Sequence, residues 1–316
     1  MRKWIAPVGA LLLILWSWGC GRASYQYKAD EAVYHQFSGD LAYAHIEKLV
    51  AFGPRPAGSK NLETSRKYME AQLKNLGWTT TRQSFEDETP KGPITFVNLR
   101  ARFHGSTKPG AVWNRPTPIV IGSHYDTKFY ADFEFVGAND GGSSTGALLE
   151  IARVAAKRSV LAEALELVFF DGEEAFNQNI NDSDGLYGSR FYAKVLRKGP
   201  AELMPTVGLV LDMIGDKDLN IGAPADSPHK LYQSLMRAAK DLNYQKYFGK
   251  YRSAILDDHV PLNHIGIPTI DIIDLDYGTW HTAEDTMEHV SAESLKIVGS
   301  TALLFVEKYL LGEVSQ

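Results

Sequence analysis

The ten residues from Leu165 to Glu174, LELVFFDGEE, constrain the fold more than any other stretch of this chain. Leu165, Leu167, Val168, Phe169 and Phe170 follow one another with little polar alternation. That is the pattern of a strand buried on both faces, and such strands belong to sheets covered by helices on both sides. The run ends in Asp171, Glu173 and Glu174, so three carboxyls fall at the carboxyl end of a central strand, where open α/β sheets gather ligands. Two adjacent acids there suit a metal ligand and a proton carrier. Taken alone, DGEE reads as a solvated acidic loop at least as readily.

The flanking sequence fits such a sheet. Amphipathic helices are expected from Asp40 to a stop at Gly53-Pro54, and over 59–76, 143–157, 186–196, 230–242 and 292–311. Strands are expected over 79–85 and 96–103, alternating as half-buried antiparallel strands do, and over 118–124, 207–212 and 269–273, with a short turn around Asp258. This predicts an α/β fold in one domain: a three-layer sandwich with a mixed, mostly parallel central sheet and helices on both faces. No Pro/Gly/Ser-rich linker interrupts 39–316, and a hydrophobic fraction of 44% over 316 residues allows a sizeable core.

The N-terminus reads as a separate object. Arg2 and Lys3 precede an apolar run from Ala10 to Trp16, then Ser17, Gly19 and Cys20, the layout of an export signal over 1–20. Cys20 sits where a bacterial lipoprotein is acylated, although Ser17 and Trp18 depart from the usual residues, so a lipid anchor and simple secretion are both expected readings. Residues 21–38 are polar and read as a tether. One cysteine allows no internal disulfide and no thiolate zinc site beyond itself. A net charge of −5 without a basic stripe excludes nucleic acid as the main partner, and membrane contact is expected only through the N-terminal anchor. The chain is expected to act as a monomer.

Polar signals recur at the expected strand ends. His124 and Asp126 form His-x-Asp, whose side chains alternation sends to one face. Asp140 precedes a helix within GANDGGSST, Glu173 and Glu174 follow the central strand, Asp212 ends the next, and His281 follows Trp280 in GTWHTAED. Each has a plainer role: a turn-holding pair, a helix cap, a backbone acceptor, a surface histidine. All five arriving at one sheet edge is harder to attribute to capping. Oxygen and imidazole donors without cysteine are the set of a catalytic zinc with an open position.

The segments GSHYDTKF, FVGANDGG, FFDGEEAF, DGLYGSR, LDMIGD, DDHVPL and WHTAED together resemble the zinc-dependent M28 peptidase family, and within it the glutaminyl cyclases. The resemblance runs from about His45 to Leu310. It implies one zinc held by Asp140, Glu174 and His281, with Glu173 as general acid/base. It also implies Asp212 and Asp257 together in the pocket sharing a hydrogen bond, and Trp280 in the wall around the substrate's first side chain. The implied substrates are peptide or protein N-termini, with N-terminal glutamine closing to pyroglutamate and releasing ammonia. A two-zinc aminopeptidase of the same family is the alternative, with His124 and Asp212 holding the second metal and Asp140 bridging. A zinc-binding relative without turnover is the third. Asn179, Asp271 and Asp276 depart from the animal cyclase pattern in the direction of a more polar pocket.

Overall fold

Strands β1 (Trp78–Thr89) and β2 (Gly92–Phe103) form a long antiparallel hairpin, Trp78 opposite Phe103, at one edge of an eight-stranded sheet. The computed structural model describes residues 25–314, so the expected signal and Cys20 lie outside the described residues. The remaining strands are β3 (Ile119–His124), β4 (Leu165–Phe170), β5 (Val207–Asp212), β6 (Ile221–Ala223), β7 (Phe248–Lys250) and β8 (Thr269–Ile273). Their order is β1-β2-β4-β3-β5-β8-β6-β7. The central four, β4, β3, β5 and β8, are mutually parallel, so their carboxyl ends share one edge. The sheet is mixed, as expected.

β4 shows why both faces are apolar. All six of its residues are buried; Leu165, Leu167 and Phe169 join the main core, while Val168 and Phe170 join a second cluster with Tyr192 and Leu262. Burying each of these side chains contributes about 1.5–3 kcal/mol. The main core is covered by helices α1 (Gly39–Val50), α2 (Lys60–Asn75), α3 (Gly142–Ala155), with the short α4 (Ser159–Glu163) beside it. The other face carries α5 (Tyr187–Lys198), whereas α6 (His229–Asp241) returns to the main core. After them come α7 (His259–His264), packed on α5, and α8 (Ala292–Leu304), packed on α1. Ser38, Ser59 and Ser291 cap α1, α2 and α8 by accepting from backbone N–H groups, and these caps start each helix where the sequence pattern begins.

Four features differ from the sequence reading. Residues 25–38, read as part of a tether, lie on the core: Ala32, Val33 and Phe37 are buried, and the Val33 N–H donates to the buried Glu307 carboxylate. The turn around Asp258 continues into α7. The expected helix 292–311 changes to a wider π-helical turn at Phe305–Leu310. The three-residue strands β6 and β7 were too short to show a period.

Candidate active site and metal centre

Each parallel strand delivers one part of the site to the common edge. β3 ends at His124, which is buried; its Nε2 lies 3.0 Å from Asp212 Oδ1 at the end of β5 and 3.3 Å from Asp140 Oδ1. Asp140 stands before α3, in a turn closed by Gly141 at φ +73°; a Cβ at Gly141 would come within 2.6 Å of the Asp126 carbonyl oxygen. β4 runs into Gly172, also at positive φ, so that Glu173 and Glu174 turn back over the sheet edge. His281 arrives from the loop after β8 at φ 58°, a left-handed conformation uncommon for a non-glycine residue and concentrated at functional sites.

Two buried oxygens define where an ion fits. Asp140 Oδ2 and Glu174 Oε1 have no hydrogen-bond partner, and His281 Nε2 lies 3.4 Å from each. A tetrahedral zinc with bonds of about 2.0–2.2 Å separates its ligand atoms by roughly 3.3–3.6 Å. The spacing, the orphaned oxygens and the two-carboxylate, one-imidazole donor set all fit that ion. Without it, burial opposes charge on His281, but the Asp140 and Glu174 carboxylates outweigh burial and push it up to about 9. Burial also opposes ionisation of Asp140, and the His124 and His281 imidazoles beside it overcome this and hold it below the usual range.

His124, Asp140 and Asp212 form a second group with converging ligand atoms. It differs in one respect: His124 Nε2 and Asp212 Oδ1 already share a 3.0 Å hydrogen bond, while His124 Nδ1 has no partner. Burial disfavours charge on His124, yet the Asp212 charge beside it raises its pKa well above the ordinary value.

Glu173 lies beside the metal group with its Oε2 3.8 Å from His124 Nδ1. Burial, reinforced by Glu174 and Asp257, raises its pKa well above the usual carboxylate value against the opposing charge of His124. Asp212 and Asp257 both line the cavity, and the charge of Asp212 raises the pKa of Asp257 after burial has done so. Asp257 also faces Asp271 on β8. As carboxylates, Asp257 Oδ2 and both Asp271 oxygens find no donor, and burial first, then Asp257, pushes Asp271 well up. Two carboxyls this close favour holding one proton between them, and the second Asp271 oxygen, Oδ2, lies 3.6 Å from His259 Nδ1.

The cavity holds about 310 Å³ and is walled by Ile180, Met213, Ile255, Leu256, Ile273 and Leu275 as well as by the site acids. Trp280 lines it while remaining 44% exposed, its ring stacked on His281 with centroids 4.3 Å apart. Of the three departures from the cyclase pattern, only Asn179 reaches the wall. Asp271 lies buried beneath Asp257, and Asp276 is exposed and bonded to Asn220. The pocket is therefore less polar than the sequence implied.

Two positioning residues escaped the sequence reading. Asp126, seen there only as half of His-x-Asp, accepts the backbone N–H groups of Glu173 and Glu174 at 3.2 and 3.3 Å. Asp285 accepts those of Asn139 and Asp140, and Tyr277 donates its hydroxyl to it at 2.8 Å. Both lie inside quoted motifs, HYD and WHTAED, which was the available signal.

The chain is similar to known proteins in sequence and in fold. The family model described as "Peptidase family M28" matches residues 98–306. The chain is similar to the glutaminyl-peptide cyclotransferase of Dictyostelium discoideum, 27% identical over 296 residues, which covers 81% of this chain and 81% of that protein. Among solved structures it is similar to the Acidobacteriales bacterium glutaminyl cyclase, with TM-score 0.80 and 32% identity, covering 92% of this chain and 100% of that one. It is similar also to a Zn-dependent exopeptidase from Parabacteroides distasonis, with TM-score 0.74 and 29% identity, covering 85% and 98%.

Proposed function

We propose that this chain, which belongs to peptidase family M28, is a zinc-dependent glutaminyl-peptide cyclotransferase. It would convert the N-terminal glutamine of peptides or proteins to pyroglutamate with release of ammonia. The observation that carries the reading is the pairing of two orphaned oxygens, Asp140 Oδ2 and Glu174 Oε1, with His281 Nε2, beside a Glu173 whose burial raises its proton affinity, in a cavity of about 310 Å³. A pocket of that size suits one amino-acid side chain and its amine.

Zinc, when bound by Asp140, Glu174 and His281, supplies a Lewis acid for the side-chain carbonyl. The chain's own residues supply the rest. The apolar wall and Trp280 fold the glutamine so that its α-nitrogen meets its own side-chain carbon; because both belong to one molecule, orientation replaces a bimolecular encounter. The new N–C bond forms as the C–NH₂ bond breaks. Glu173 accepts the proton that the α-amine loses and returns it to the departing nitrogen as ammonia. Asp212 and Asp257, on the cavity wall, orient the amine's N–H groups.

We read the site as holding one zinc, because His124 already spends its Nε2 on Asp212. The two-zinc aminopeptidase remains the second reading, favoured by the convergence of His124, Asp140 and Asp212. One experiment separates them: purified protein is offered a Gln-Phe-type peptide and Leu-p-nitroanilide while metal is counted per chain. Ammonia with one zinc supports the cyclase; free leucine with two zincs overturns it. We further read residues 1–20 as an export signal with acylation at Cys20. Incorporation of labelled palmitate that is lost in Cys20→Ser tests that reading, and equal labelling of both contradicts it.

A further inference from the structure

Among the described residues lining the cavity, Lys128 is the one lysine or arginine, against the carboxyls of Asp140, Glu173, Glu174, Asp212 and Asp257. It is buried, and its Nζ lies 2.7 Å from the Ala175 carbonyl oxygen and 3.5 Å from Glu174 Oε2. Burying an ammonium is costly unless it is paired, so this contact has a reason in the site. The two oxygens of Glu174 thus differ: Oε2 faces Lys128, whereas Oε1 has no partner and lies 3.4 Å from His281 Nε2.

A carboxylate free at both oxygens can grip a metal with both and fill the coordination position a substrate needs. One whose second oxygen is held by an ammonium offers only the first. We propose that Lys128 is a positioning residue that occupies Oε2 of Glu174, leaving Oε1 alone for the metal and one coordination position open. This rests on the zinc reading above.

The test uses the full chain with cobalt(II) in place of zinc, comparing the wild type with Lys128→Gln, Lys128→Met and Lys128→Arg. Visible absorption reports the coordination number, azide titration reports the open position, and turnover is measured on the zinc form. In K128Q, metal stoichiometry is expected to hold, azide affinity to fall by roughly tenfold or more, and the spectrum to shift toward a more crowded metal. Turnover should fall through kcat, with K128R recovering part of each change. K128Q, which keeps a donor for the Ala175 carbonyl, decides the matter if K128M does not fold. An unchanged spectrum and azide affinity in K128Q overturn the proposal. A wild type that takes up no more metal than Asp140→Asn overturns the zinc reading instead.

Discussion

Asp285 holds Asp140 by its backbone: the Asp285 carboxylate accepts the Asp140 N–H at 3.1 Å through Oδ2 while Oδ1 accepts that of Asn139 at 2.8 Å. The side chain of Asp140 is thereby left free to face His281. Replacing Asp285 by Ala strands two buried N–H groups and loosens the turn. We expect zinc affinity, measured by chelator competition, to drop by roughly 10–100-fold, with Asp285→Asn, which keeps one acceptor, losing less. Equal affinity in all three proteins would show that the turn is held without Asp285.

Glu173 is assigned to proton transfer and Glu174 to the metal, and one substitution distinguishes adjacent residues. Glu173→Gln keeps the shape and removes the exchangeable proton. Zinc per chain should stay at the wild-type value while kcat falls by roughly 10²–10⁴-fold. Unaltered turnover would remove Glu173 from the mechanism.

Far from the site, Glu166 on β4 is fully buried and binds Arg100 Nε at 2.6 Å, Arg102 Nε at 2.7 Å and the Tyr192 hydroxyl at 3.1 Å. Removing one partner of a buried ionic group costs about 3–5 kcal/mol, so Glu166→Ala should show that loss in urea unfolding. Burial alone would raise the Glu166 pKa, but Arg100 and Arg102 overcome it and hold it below 4.5. A depressed carboxylate stabilises the fold above its unfolded pKa, and that stability is lost as pH falls from about 4.5 through the folded value. Acid unfolding of the wild type should steepen in that window, and the steepening should be absent from Glu166→Ala.

The sequence made the parallel centre of the sheet visible and hid its margins, for physical reasons. β5 was readable to the residue because an unbroken apolar run ending in Asp has few alternative registers, and β8 because Ile270, Ile272 and Ile273 lie between Pro268 and a turn. β6 and β7, at three residues each, carry less than two periods of any pattern. α7, HVPLNH, was hidden by its polar residues and its proline, which a first helical turn tolerates. The site residues His124, Asp140, Glu174, Asp212 and His281 were legible as residue types at strand ends. The roles of Asp126, Asp285 and Lys128 were not, because each acts through a backbone group or through another side chain.

His45, in α1, gives a separate pH signature. Burial first, then the charge of Arg153, lowers its pKa from 6.5 to about 4, and its Nδ1 meets the Tyr68 hydroxyl at 2.6 Å. The unfolded chain therefore binds a proton between those values that the folded chain refuses. Stability should fall as pH drops from about 6.5 to about 4 and gain no further slope from this residue below that. His45→Gln should flatten the profile in that interval; an unchanged slope would contradict the assignment.

The proposed activity depends on one ion gripped by three distant segments. Crystals of the zinc-loaded protein, measured with anomalous scattering at the zinc edge, should show one full peak within about 2.0–2.2 Å of Asp140 Oδ2, Glu174 Oε1 and His281 Nε2. A principal peak between His124 and Asp212, or none touching those three atoms, would contradict it.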